Sequence, residues 1–168
     1  MGDAFIYITS RQVRWVIMLS FVLALIVDAL NLLGESYLFL PPITLLVLLY
    51  WCGHFLDQTY VSTAFVIGLL MDTLFNSTLG IHALIFVLLT FAMLRHRLHF
   101  RGYSVLQQSL NMIGFLLLYQ ILRLIVLAPP MNEAQQIAFW SMPLVGGVLW
   151  IFLAKGLNRL SHQKAIES

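Results

Sequence analysis

From Trp15 to Leu33 the chain carries a single ionisable side chain, Asp28, in a run otherwise broken only by Ser20 and Asn31. A helix crosses the hydrocarbon core of a bilayer in about 20 apolar residues, with a range of about 17–25. Runs of this kind recur along the chain and predict helices over about 13–33, 42–55, 60–76, 79–94, 105–128 and 135–154. Of the 168 residues 61% are hydrophobic and 10% charged, against about 45–50% and about 25% in an ordinary soluble domain. One soluble core would not bury that much apolar surface. The expectation is an all-α integral membrane protein, a single transmembrane domain over 1–168 built as a bundle of six transmembrane helices.

The punctuation agrees with this division. The apolar part of the first run exceeds the ~7–15 residues of a signal peptide, no small-residue cleavage site follows it, and more spans come after. It reads as a retained helix. Pro41 and Pro42 open the short second run, since proline is tolerated in a first helical turn. Ser77 and Thr78 form a tight link between the third and fourth, and Pro129–Pro130 stop the fifth. Asn132 with Gln135 three residues on has the form of a capping box at the start of the sixth, and Pro143 predicts a kink within it. Cys52 is the only cysteine, so there is no disulfide framework or cysteine metal knuckle. It reads as a small buried apolar residue.

Orientation follows from the basic residues. Arg11, Arg14, Arg95, Arg97, Arg101, Lys155, Arg159 and Lys164, eight of the nine Lys and Arg, fall on one side of a six-helix topology. The opposite loops hold Glu35 and Glu133. By the positive-inside rule both termini are cytoplasmic. Trp15 and Trp51 then fall near the cytoplasmic interface and Trp140 near the outer one.

Three charges remain inside spans: Asp28, Asp72 and Arg123. Each is expensive there, roughly 2.5–3.5 kcal/mol on insertion scales. All three lie within about a turn of the outer end of their helices, so Arg123 is expected to pair with Asp72, Asp28 or both through its planar fork. Ala64, Gly68, Asp72 and Asn76 recur at every fourth position, a spacing that lets another helix approach closely. Two readings stand: an ion or substrate site near the outer leaflet, or a charge cluster that fixes packing or faces a partner. Coupling sites usually lie near the bilayer midplane, which favours the second. His82 could reach this cluster or simply be satisfied at the interface. His96 and His99, read as part of a cytoplasmic loop, are flanked by arginines and make a poor metal site. The basic clusters at membrane flanks suit anionic lipid and imply no nucleic acid. No GxGxxG, nucleophile elbow or acidic pair is present, so no catalytic, cofactor or metal residues are assigned.

LPPITLLVLLYW (40–51), AFVIGLLMDTLFNSTLGIHAL (64–84) and RWVIMLSFVLALIVD (14–28) together resemble the bacterial rod shape-determining MreD family. The shared pattern is a proline-started helix ending in Tyr-Trp, then G-x-x-x-D and an S-T-L-G turn, which brings Gly68, Asp72 and Gly80 over as motif positions without a chemical role. The resemblance implies a non-enzymatic inner-membrane subunit of the elongation machinery that scaffolds or regulates lateral peptidoglycan synthesis. The implied partners are an MreC-like membrane protein, an MreB-like actin filament, a RodA-like glycosyltransferase and its penicillin-binding transpeptidase, with membrane lipids around them. It also implies a fold similar to the substrate-binding membrane subunits of energy-coupling-factor transporters. That likeness supplies the alternative, a vitamin-type transporter subunit, but a fold does not carry function.

Overall fold

The computed structural model describes residues 11–33, 40–54, 60–127 and 132–166, and these form six α-helices. They are α1 (Arg11–Leu33), α2 (Ile43–His54), α3 (Val61–Leu74), α4 (Ile81–Arg101), α5 (Val105–Leu127) and α6 (Glu133–Ile166). Four of them, α1, α4, α5 and α6, contain stretches long and apolar enough to cross a membrane. The other two have 12 and 14 residues, or roughly 18 and 21 Å at ~1.5 Å per residue, short of the ~30 Å hydrocarbon thickness.

Helix α2 is apolar on every side, and such a helix belongs in an interior. Every residue from Thr44 to Gly53 is buried, enclosed by α1, α4 and α6. Trp51 therefore lies in the core, not at an interface, and its indole N–H donates to Ser20 Oγ of α1 at 2.9 Å. Trp15 and Trp140 are exposed. Cys52 is buried beside the Thr90 carbonyl of α4, with the sulfur 3.9 Å away. The outward face of α1 is a stripe of exposed Met18, Leu19, Val22, Leu23, Ile26 and Leu30. A membrane protein turns such a surface to lipid.

The remaining helices pack as two hairpins, α3 against α4 and α5 against α6. Gly147 of α6 lets α5 come close: a Cβ there would meet Ile113 at 2.6 Å, and Ser109 Oγ donates to the Gly147 carbonyl at 2.7 Å. Helix α6 continues through Pro143 as one element. Proline has no N–H for the carbonyl four residues back, which here is Phe139. Gln120 of α5 donates its side-chain N–H to that carbonyl, so the freed acceptor is satisfied from the neighbouring helix, as transmembrane prolines require.

Two helix starts carry capping boxes. Gln135 N–H donates to Asn132 Oδ1 at 2.9 Å, and Asn132 N–H to Gln135 Oε1 at 3.1 Å, the capping box expected at α6. Ser104 and Gln107 form a second one at the start of α5. Helices α4 and α6 end at 101 and 166, beyond the expected 94 and 154. Arg and Lys are good helix formers, so the helix outlasts the apolar run. His96 and His99 consequently lie on α4, not in a loop.

Candidate functional site

Asp72 has no measurable exposure and sits in the last turn of α3. The chain then reverses through a short turn in which Asn76 and Gly80 take positive φ, 48° and 100°. The turn brings a ring of donors onto one carboxylate. Oδ1 accepts the His82 backbone N–H at 2.9 Å and the Ser77 hydroxyl at 2.9 Å, and lies 2.8 Å from His82 Nδ1. Oδ2 accepts the Gly80 N–H at 2.7 Å. His82 is the second residue of α4, so Asp72 satisfies a donor that a helix start would otherwise leave unpaired. Its charge also faces the positive end of the α4 dipole. The imidazole tautomer that fits this contact carries its proton on Nδ1.

Asp28 does the same for another helix. It is buried near the end of α1, where Oδ1 accepts the Ile43 N–H at 2.8 Å and Oδ2 the Thr44 N–H at 2.9 Å. These are the first two N–H groups of α2. Each aspartate thus lies near the end of one helix and caps the start of the next.

Arg123 makes no ion pair with either aspartate among the described residues. The expected direct pairing is replaced by a stack. The Arg123 guanidinium lies over the Phe75 ring, 5.9 Å from its centre, and Phe75 stacks on His82 at 5.2 Å with the planes 15° apart. The sequence Asp72, His82, Phe75, Arg123 therefore connects α3, α4 and α5 through space. Fixed backbone donors at the helix starts lie nearer the carboxylates than a long arginine side chain, and they already satisfy them. Arg123 shares a small cavity with Asp28, Asn31, Pro42, Tyr119 and Met142. Its Nε is enclosed and meets no protein acceptor.

The four-residue repeat on α3 divides. Ala64 and Gly68 are buried in the α3–α4 contact, where a Cβ on Gly68 would lie 2.6 Å from Ala83 N and closer still to Ala83 Cα. Asn76 lies past the helix end, exposed, and belongs to the turn instead of the packing face. Gly80 supplies the positive φ and the N–H that Asp72 accepts. His82, which the sequence left between two readings, joins Asp72 directly. No group of three His, Cys, Asp or Glu with metal-site spacing occurs among the described residues. Chemically, then, among the described residues this end of the bundle offers two occupied carboxylates and one arginine that pairs with neither.

The family model for rod shape-determining protein MreD matches residues 9–160. The chain belongs to the MreD family. The match takes in all of α1 to α5 and most of α6, with both capping aspartates. The rod shape-determining protein MreD of Haemophilus influenzae is 29% identical over 146 residues, covering 84% of this chain and 88% of that protein. No solved structure matches. Membership in the MreD family and four candidate spans make this a membrane protein.

The capping by aspartate has a sequence signal that the charge-pair argument passes over. An Asp near a helix end, a short turn, and a second helix start form one unit. In 68–84 all three are adjacent in the chain.

Proposed function

We propose that this chain is a non-enzymatic subunit of the rod-shape complex in the bacterial inner membrane, scaffolding or regulating lateral peptidoglycan synthesis. The observation that carries the reading is the MreD family match over residues 9–160. The geometry agrees with it: the buried acids are engaged in holding helix to helix, which suits a scaffold and leaves neither carboxylate free for chemistry. Loops as short as 75–80 and 102–104 offer little surface outside the membrane, so partners meet the chain mainly through helix faces. The proposed partners are an MreC-like membrane protein, an MreB-like filament, and a RodA-like glycosyltransferase with its penicillin-binding transpeptidase. In this proposal the six helices form one transmembrane domain, and the basic ends of α1, α4 and α6 face the cytoplasm with both termini. The Asp28–Arg123 end faces outward. Fold likeness to the substrate-binding subunits of energy-coupling-factor transporters belongs to the same proposal, supported by a compact bundle of six helices. No observation favours the vitamin-transporter alternative.

Affinity capture of the tagged chain from native membranes in mild detergent tests the reading. Co-recovery of the elongation proteins supports it. Recovery of transporter ATPases in their place refutes it.

A further inference from the structure

Helices α3 and α4 form one wall of the bundle. Its exposed side carries Phe65, Val66 and Leu70 of α3 beside Leu84, Leu88 and Phe91 of α4. One end of the wall is the turn 75–80, with exposed Asn76 and Thr78. At the other end α3 stops at Tyr60, whose φ of 51° is not helical. Gly68 lies against Ala83, so counting outward sets Val61 level with about Thr90. Beyond Leu94, α4 turns polar with Arg95, His96 and Arg97. The apolar height from Ile81 to Leu94 is thus about 14 residues, or roughly 21 Å at ~1.5 Å per residue. The hydrocarbon core of a bilayer measures ~30 Å. On the same bundle α5 has 23 residues and no ionised one before Arg123, enough for roughly 34 Å.

Basic side chains at the end of a span ordinarily gain height by reaching outward to the headgroups. Arg95 does the reverse. Helical side chains lean toward the N-terminus of their helix, which on α4 is toward the apolar run. The Arg95 guanidinium accordingly rests over the Phe91 ring, 5.6 Å from its centre. Both residues are exposed, so the charge is presented about one turn inside the end of the wall. An ionised group at that level needs water or phosphate beside it. Tilting is no remedy for a wall that is too short, because it lowers the height further. What remains is for the bilayer to thin.

We propose that the α3–α4 wall is a surface for lipid in a locally thinned bilayer, with headgroups drawn in to the level of Arg95 and Phe91. A second copy of the chain is the poorer occupant. A two-fold contact sets identical surfaces face to face, and here it would bring Arg95 and Arg101, both exposed, toward their own copies. The proposal requires only that the chain lie in a bilayer and not that it meet the partners proposed above, so its failure would leave the MreD reading standing.

The test is the depth of nitroxide labels on the full chain in phosphatidylcholine vesicles. Depth is read from collisions with oxygen, which enters lipid, against collisions with a nickel complex, which stays in water. Leu88→Cys and Leu98→Cys report on α4 and Leu118→Cys on α5; all three positions are exposed, while Cys52 is buried and escapes labelling. Vesicles with acyl chains of about 14 and about 22 carbons bracket the ~30 Å core. Leu88, near the middle of the wall, is expected about 10 Å from the headgroups in both, half the wall's height. Leu98 should meet nickel in both. In the thicker vesicles Leu118 should lie at least about 5 Å deeper than Leu88, since α5 matches the full thickness. Arg95→Leu should let Leu88 sink by roughly half a helical turn. Leu98 shielded from nickel in the thicker vesicles, or Leu88 as deep there as Leu118, overturns the proposal. So does exclusion of both reagents at Leu88, the mark of a covering protein surface, and so does an unmoved Leu88 in Arg95→Leu. The labelled positions and Arg95 all lie on the surface, so the variants leave the packed core untouched.

Discussion

Replacing Asp72 removes the acceptor on which the α3–α4 hairpin closes. Asp72→Ala leaves the His82 N–H, the His82 ring N–H, the Gly80 N–H and the Ser77 hydroxyl without their partner. Hydrogen bonds to charged groups contribute about 1.5–3 kcal/mol each, and a stranded buried donor costs about 1–3 kcal/mol. The four share one carboxylate and are not additive, and Ser77 can turn elsewhere. A loss of about 3–6 kcal/mol is expected, well above the ~0.5–2 kcal/mol of an ordinary N-cap replacement. Asp72→Asn separates the two oxygens. Its carbonyl can keep the Oδ1 contacts to His82 and Ser77, while its NH2 would face the Gly80 N–H, donor against donor. About 1.5–3 kcal/mol should be lost, one charged hydrogen bond. Denaturant titration in mixed micelles, read by helical circular dichroism, would give the order wild type, then Asn, then Ala. Stabilities within about 0.5 kcal/mol of wild type for both variants, the range of an ordinary surface substitution, would refute the capping account.

Other consequences follow from the packing. Gly68→Ala pushes a methyl into the Ala83 backbone, which cannot swing aside as a side chain can. It should cost at least the ~1–3 kcal/mol of ordinary overpacking, visible as a lowered thermal midpoint in detergent; a neutral result would mean α3 and α4 do not cross there. Gly80→Ala meets no neighbour but imposes a side chain on a φ of 100°, so a smaller loss of about 1–2 kcal/mol is expected in the same melts. Gln120→Leu should cost about 1–3 kcal/mol by stranding the Phe139 carbonyl. In a Pro143→Ala background, where residue 143 regains the N–H for that carbonyl, the cost should shrink. A double-mutant cycle without coupling would show that Gln120 serves some other purpose.

The sequence was a good guide to axial position and a poor one to azimuth. Apolar run length locates α1 and α5 to within a few residues, and Asn132 with Gln135 marks the start of α6. Hydropathy could not find the ends of α4 and α6, because charged residues end a membrane run without ending a helix. Asp28, Asp72 and Arg123 stood out as charges in apolar surroundings, and equal depth suggested that they pair. Depth says how far along its helix a residue lies, not which neighbour it faces. The groups that meet the aspartates are backbone N–H donors of Ile43, Thr44, Gly80 and His82, which no residue type announces. Gln120 is a similar case: its partner is a carbonyl freed by a proline four residues away on another helix. Family membership was legible because it rests on the residues themselves, above all 64–84, and not on their contacts.

The central claim is that this chain acts in rod-shape determination, and complementation tests it most directly. The chain would be expressed in a rod-shaped bacterium depleted of its own MreD relative, with membrane levels measured in parallel and cell outlines scored by microscopy. The account predicts restored rods with wild-type chain, and rounded cells with Asp72→Ala in proportion to its loss from the membrane. Round cells despite normal amounts of wild-type chain together with the same organism's MreC, MreB and RodA relatives would contradict it.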